Sequence, residues 1–173
     1  MSILITGSSG YIGTELCRRF QSDSLADRII GLDMVPPKEV FEKVTFYQRD
    51  CCGDLSDIFA NHKIETVVHL VFVLDPLHDS GKMYRINVES LENVLGYIKE
   101  FNIPRLVVTS SGTAYGAYAD NPDRLTEEML IRGHNYQYAN DKRIVEEKLT
   151  EFQAQHPQTD VVIARPAVLC GAH

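Results

Sequence analysis

The sequence holds no run of basic residues, no apolar stretch approaching the roughly 18 residues of a membrane span, and no cysteine pair at metal-binding spacing. Each absence excludes something. Without a basic run, and with a formal net charge of −7, a nucleic-acid surface is not expected. Without a long apolar stretch no helix should cross a membrane. The four cysteines are Cys17, Cys51, Cys52 and Cys170. Cys51 and Cys52 are adjacent and lack the two-residue gap of a zinc knuckle, and no paired histidines complement them. They read as free thiols in a reducing compartment, with no metal. The chain opens directly into an apolar strand pattern rather than a basic segment followed by an apolar one, so no secretory signal is read and a cytoplasmic location is expected. Internal repeats, low-complexity tracts and linkers are missing too. At 173 residues, 44% hydrophobic and 24% charged, the chain reads as one soluble domain over 1–173, long enough for a proper core.

What is present begins at once. Ile3-Leu4-Ile5-Thr6 is a short apolar run, followed by Gly7, Gly10 and Gly13 at spacings of three and then by an amphipathic stretch with Leu16, Cys17 and Phe20. This is a strand, a tight turn and a helix. Gly7 would allow the sharp turn, Gly10 the approach of a diphosphate to the main chain, and Gly13 the close packing of helix on strand. Free N–H groups of the first helical turn would then face the phosphates. A plain strand-to-helix turn has the same spacing, so a second feature matters. Arg28-Ile29-Ile30-Gly31-Leu32-Asp33 is an apolar strand ending in a carboxylate 20 residues beyond Gly13. In a βαβ unit that acid meets the adenosine ribose hydroxyls and repels a 2′-phosphate. Met34, Val35, Pro36 and Pro37 follow, with no arginine among them, which predicts NAD rather than NADP.

Strand and helix patterns then alternate. Strands are expected at Val44 to Gln48, Glu65 to Val71, Arg105 to Thr109 and Asp160 to Pro166. Helices are expected from near Asp54 to His62, over Gly81 to Phe101 and over Tyr136 to Phe152, with a short helical turn at Thr126-Glu127-Glu128. The near-continuous apolar run ending in His69-Leu70-Val71 suits a strand buried on both faces, and His69 reads as a core histidine. Residues 72 to 80 read as a loop carrying Asp75, Pro76, His78 and Asp79. Six strands with crossover helices give an α/β fold with a doubly wound parallel sheet, the Rossmann architecture.

Two further stretches could carry chemistry. Thr109-Ser110-Ser111-Gly112-Thr113-Ala114-Tyr115-Gly116 clusters hydroxyls at the carboxyl end of a strand, where open parallel sheets bind ligands. Tyr138 and Lys142 lie four apart on a helix and so share a face. A nearby ammonium, with the positive charge of oxidised nicotinamide, would favour the phenolate and lower the tyrosine pKa. The phenolate could then take a proton from a substrate hydroxyl while a serine hydroxyl holds the same oxygen.

With these motifs in order, the sequence resembles the extended short-chain dehydrogenase/reductases, in particular their NAD-dependent epimerase/dehydratase branch acting on nucleotide sugars. The resemblance runs from Ile3 to Gly171. Thr6 to Gly13 is similar to the family's TGxxGxxG turn, which brings Tyr11 and Ile12 into the cofactor set, and Asp33 falls on the ribose-binding acid. Asp50 with Cys51 falls where an acid and an apolar neighbour meet the adenine. Leu70 and Val71 match the strand end lining the dinucleotide, and Asn87 matches a helix asparagine supporting the site. Ser111 falls on the catalytic Ser/Thr, and Tyr138 with Lys142 on the YxxxK pair, whose lysine also holds the nicotinamide ribose. Arg165-Pro166 matches an RP pair after the sixth strand. The resemblance implies transient hydride transfer on a nucleotide sugar and a homodimer through the 81–101 and 136–152 helices. It also implies a length of about twice this one, so the C-terminal substrate-binding part is expected to be missing, through truncation or because a short member borrows that surface from a partner. Arg132 to Gln137 departs from the proline-rich character common before the tyrosine. Two other functions remain open on these residues: a dehydrogenase or reductase of a sterol-like or small carbonyl substrate, and a non-catalytic NAD-binding module.

Overall fold

The computed structural model describes residues 1–24, 26–73 and 79–171. Six parallel strands, β1 (Ser2–Thr6), β2 (Arg28–Asp33), β3 (Val44–Gln48), β4 (Thr66–His69), β5 (Arg105–Thr109) and β6 (Asp160–Ala164), form one sheet in the order β3-β2-β1-β4-β5-β6. The order reverses between β1 and β4, which pair from Ile3 with Thr66 to Thr6 with His69. A crevice opens beyond the carboxyl ends of strands at such a reversal. β4 is buried at all four positions, as a strand covered on both faces should be.

The crossovers carry α1 (Tyr11–Ser22), α2 (Ser56–Asn61), α3 (Ser80–Tyr84), α4 (Ser90–Glu100) and α5 (Gln137–Gln155). One face of the sheet packs on α2, α4 and α5 through Leu4, Ile30, Val67, Leu91, Ile98, Leu106 and Leu149. The other packs on α1 through Ile3, Ile5, Cys17, Ile29 and Val68. Each fully buried Leu or Ile of this kind is worth roughly 1.5–3 kcal/mol. Near the sheet edge Val162 is exposed, as are Val168 and Leu169 beyond β6.

The expected elements hold with four differences. The helix read over 81–101 is helical but not uniform, because Arg85–Glu89 between α3 and α4 widens into a π-turn that places Asn87 and Val88 in the interior. Such a turn keeps the apolar period while inserting an extra residue, so periodicity does not show it. The run expected to be strand through Val71 leaves the sheet after His69. The expected helical turn at Thr126-Glu127-Glu128 is a single hydrogen-bonded turn closed by Met129 N–H on the Thr126 carbonyl. A 3₁₀ turn covers Gly112–Tyr115, its first N–H groups met by the Ser111 side chain, which accepts from Thr113 N–H at 3.2 Å. Asp75, Pro76 and His78 lie outside the described residues.

Candidate active site

The glycine turn is a cradle closed to side chains at Gly7 and Gly13, while Gly10 leaves ordinary room. Gly7 has φ +74°, in the left-handed region, and hangs from β2 by its N–H on the Leu32 carbonyl at 2.8 Å. A Cβ on Gly13 would lie 2.3 Å from the Gly7 carbonyl oxygen. Gly10 caps α1, whose first turn contains no acidic residue. The unsatisfied N–H groups and dipole there favour an anion.

From this cradle two cavities open. The smaller, about 240 Å³, is bordered by Gly7, Gly10, Asp33, Asp50, Cys51, Leu70, Val71 and Phe72. Asp33 stands at the tip of β2, its carboxylate accepting from Ser9 N–H and Val35 N–H, each at 3.0 Å. Asp50 accepts from Cys52 N–H and pairs with Arg85 at 3.1 Å. Arg49 borders the same cavity. No arginine follows Asp33 directly in sequence, but β3 pairing beside β2 brings this one in, with its guanidinium on the Gln48 carbonyl and near Asp57. Burial pushes the Cys51 thiol up to about 12 and the Cys52 thiol up to about 11, so neither is a nucleophile at neutral pH. All four cysteines are free.

The larger cavity, about 850 Å³, is bordered by Gly7, Gly10, Tyr11, Ile12, Gly13, Leu70, Phe72, Ser111, Tyr136, Tyr138 and Lys142. Ser111, just beyond β5, borders it together with Tyr138 of the first turn of α5, and the serine hydroxyl favours the phenolate. Tyr138 is framed by Phe72, edge-on with centroids 5.1 Å apart, and by Tyr136, stacked at 6.4 Å. Lys142 is buried, donates to the Thr109 carbonyl at 2.8 Å, and lies 5.8 Å from the Tyr138 ring centroid. The fold therefore brings the three expected residues to one cavity. Their electrostatics differ from expectation. Tyr138 is shifted up rather than down, by burial first and against the Ser111 hydroxyl, with Tyr136 adding to it. Burial pulls the Lys142 amine down to about 7, against the attraction of Glu146. A desolvated amine turned to a carbonyl and an aromatic face lends the phenol little.

Asn87 borders neither cavity. It is buried in the π-turn, accepting from Val73 N–H at 2.8 Å and donating to Asp141 at 2.9 Å, while Gln137 donates to the other Asp141 oxygen at 2.6 Å. It joins the segment after β4 to the start of α5. A second network was not visible in sequence. Glu146, 1% exposed, receives two bonds from Arg165 Nε, one from Nη2 at 2.6 Å, and one from the Ser110 hydroxyl. Arg165 also donates to the Tyr115 hydroxyl at 2.7 Å. The spacing of Glu146 four beyond Lys142 was the available signal; its partners come from other elements.

His69 is a core residue as expected, its Nδ1 2.8 Å from the Thr6 hydroxyl. Burial first, then Lys142, pull its pKa from 6.5 to about 3. Below pH 6.5 the unfolded chain protonates this imidazole and the folded chain does not, so stability falls with pH through that window. Replacing His69 with glutamine is expected to remove about 2–3 kcal/mol of the loss between pH 6.5 and 4.5, measured by urea unfolding. An unchanged slope would show that the imidazole titrates normally.

Comparison with known proteins bears on the family and the fold. A model of the NAD dependent epimerase/dehydratase family matches residues 3–173.
The chain belongs to that family.
Among this family's members it is 31% identical over 190 residues to a UDP-glucose 4-epimerase of Yersinia enterocolitica, covering 100% of this chain and 55% of the relative. It is 27% identical over 188 residues to the UDP-glucose 4-epimerase of Bacillus subtilis, covering 100% and 54%. A solved UDP-glucose 4-epimerase superposes with a TM-score of 0.86 at 26% identity, over 100% of this chain and 53% of that one. A UDP-glucuronic acid 4-epimerase from Bacillus cereus in complex with NAD gives 0.86 at 22%, over 99% and 58%, a likeness of fold. The chain thus spans about half the length of the family members it matches. Among the described residues no helix is long and apolar enough to cross a membrane, and no group of His, Cys, Asp and Glu could hold a metal ion.

Proposed function

We propose that this chain forms the cofactor-binding and proton-transfer part of an NAD-dependent epimerase acting on a UDP-sugar. The observation that carries the reading is that Ser111, Tyr138 and Lys142 border one cavity, the one that opens from the Gly7 to Gly13 cradle. The residues present fit NAD: Gly7 and Gly13 leave no room for a Cβ at the cradle, α1 presents its N-terminus, and Asp33 borders the smaller cavity at the tip of β2. When bound, the nicotinamide supplies reversible acceptance of a hydride. Tyr138 takes the carbinol proton at its phenolic oxygen and later returns it, Ser111 holds the same substrate oxygen, and Lys142 would hold the nicotinamide ribose by a hydrogen bond. Because burial holds the phenol up, the positive charge of the oxidised ring is the larger aid to ionisation. UDP-sugar specificity is supported by the named relatives. The ion pair of Lys148 with Glu92 sets α5 beside α4, and a homodimer through the 81–101 and 136–152 helices rests on the family resemblance alone.

The test pairs binding with turnover. NADH should bind more tightly than NADPH by fluorescence, and in a version spanning the relatives' full length UDP-glucose should interconvert with its C4 epimer without net NADH formation. Tighter NADPH binding would overturn the Asp33 assignment. Stoichiometric NADH production would favour a dehydrogenase.

A further inference from the structure

The Lys142 ammonium group has few ordinary partners. Its side chain is 3% exposed, and its hydrogen bond runs to the Thr109 carbonyl at the end of β5. An ammonium carries three N–H donors. Glu146, one turn further along α5, attracts it, but that carboxylate is engaged by Arg165 and Ser110. His69, from β4, adds no charge above pH of about 3. What does meet the amine is a ring. Nζ lies 3.5 Å from the centroid of Phe72, over its face. The same ring meets Tyr138 edge-on, at an interplanar angle of 76°. Phe72 borders both cavities, and its backbone is held through the next residue, whose N–H Asn87 accepts.

We propose that Phe72 is a positioning residue: its face stands in for a counter-ion to Lys142 while its edge fixes the Tyr138 ring, so the segment leaving β4 sets where both groups stand. An aromatic face attracts a desolvated cation more strongly than an exposed one. The functional meaning rests on the reading of Lys142 and Tyr138 given above; the contact between ring and ammonium does not.

The chain labelled with ¹³C-lysine separates the two. The Lys142 resonance is identified by its loss in K142R and titrated across neutral pH. The wild-type midpoint is expected at about 7. F72L keeps an apolar side chain but removes the aromatic face, and should lower the midpoint by roughly one pH unit, whereas F72Y should leave it in place. Should F72L fail to fold, F72M makes the same comparison. NADH affinity should weaken roughly three- to tenfold in F72L and be retained in F72Y. A midpoint that stays or rises in F72L, or falls equally in F72Y, overturns the proposal. A lowered midpoint with unchanged NADH affinity keeps the ring–ammonium contact and overturns its place in the cofactor site.

Discussion

On the proposed epimerase reading, replacing Tyr138 with phenylalanine in a version of full family length is expected to cut UDP-sugar turnover by roughly 10²–10⁴-fold while leaving NADH binding in place. The substitution removes one oxygen and nothing else. The ring keeps its edge contact with Phe72 and its stack on Tyr136, so the cavity wall survives. What goes is the group that exchanges a proton with the substrate hydroxyl. The remaining Ser111 hydroxyl can hold a substrate oxygen but is a poor base. Turnover and NADH fluorescence, measured on the same preparation, separate chemistry from binding. Unchanged turnover would remove Tyr138 from the mechanism. Loss of NADH binding would make it a structural residue of the cavity.

The second large effect concerns stability. Replacing Glu146 with alanine is expected to cost about 3–5 kcal/mol, because it leaves a charged group in the interior without its partner. Glu146 is 1% exposed and Arg165 17%, so water cannot fully replace the lost carboxylate. The Ser110 hydroxyl loses its acceptor in the same stroke. For a chain of this size the expected fall in Tm is on the order of 10 °C. Glu146→Gln keeps the shape and one acceptor oxygen, so its loss should be smaller. Thermal and urea unfolding of both variants check this, and a cost below about 1 kcal/mol for the alanine variant would show that the guanidinium finds another acceptor. The network ties the middle of α5 to the end of β6, so the variant should also loosen the helix that carries Tyr138 and Lys142.

Much of the arrangement was legible because it is local. Glycines at 7, 10 and 13 after an apolar run specify a tight turn, and a side chain is barred at two of them, Gly7 by its positive φ and Gly13 by the Gly7 carbonyl. Apolar runs of strand length alternating with helical periods specify a parallel sheet, and the strand ends then bring Asp33, Ser111 and the cradle to one side. Tyr138 and Lys142 share a face because a helix repeats every 3.6 residues.

The sequence by itself therefore determined the Rossmann sheet, the glycine turn and the shared helix face of Tyr138 and Lys142, which follow from spacing along one or two elements, while Ser111 was singled out by the family resemblance. Only the tertiary structure decided the electrostatics. Burial, not the lysine, sets the acidity of Tyr138, and the partners that hold the lysine and Glu146 come from β4, β5 and β6. Desolvation and cross-element contacts depend on distances between residues far apart in the chain, and no local pattern encodes them.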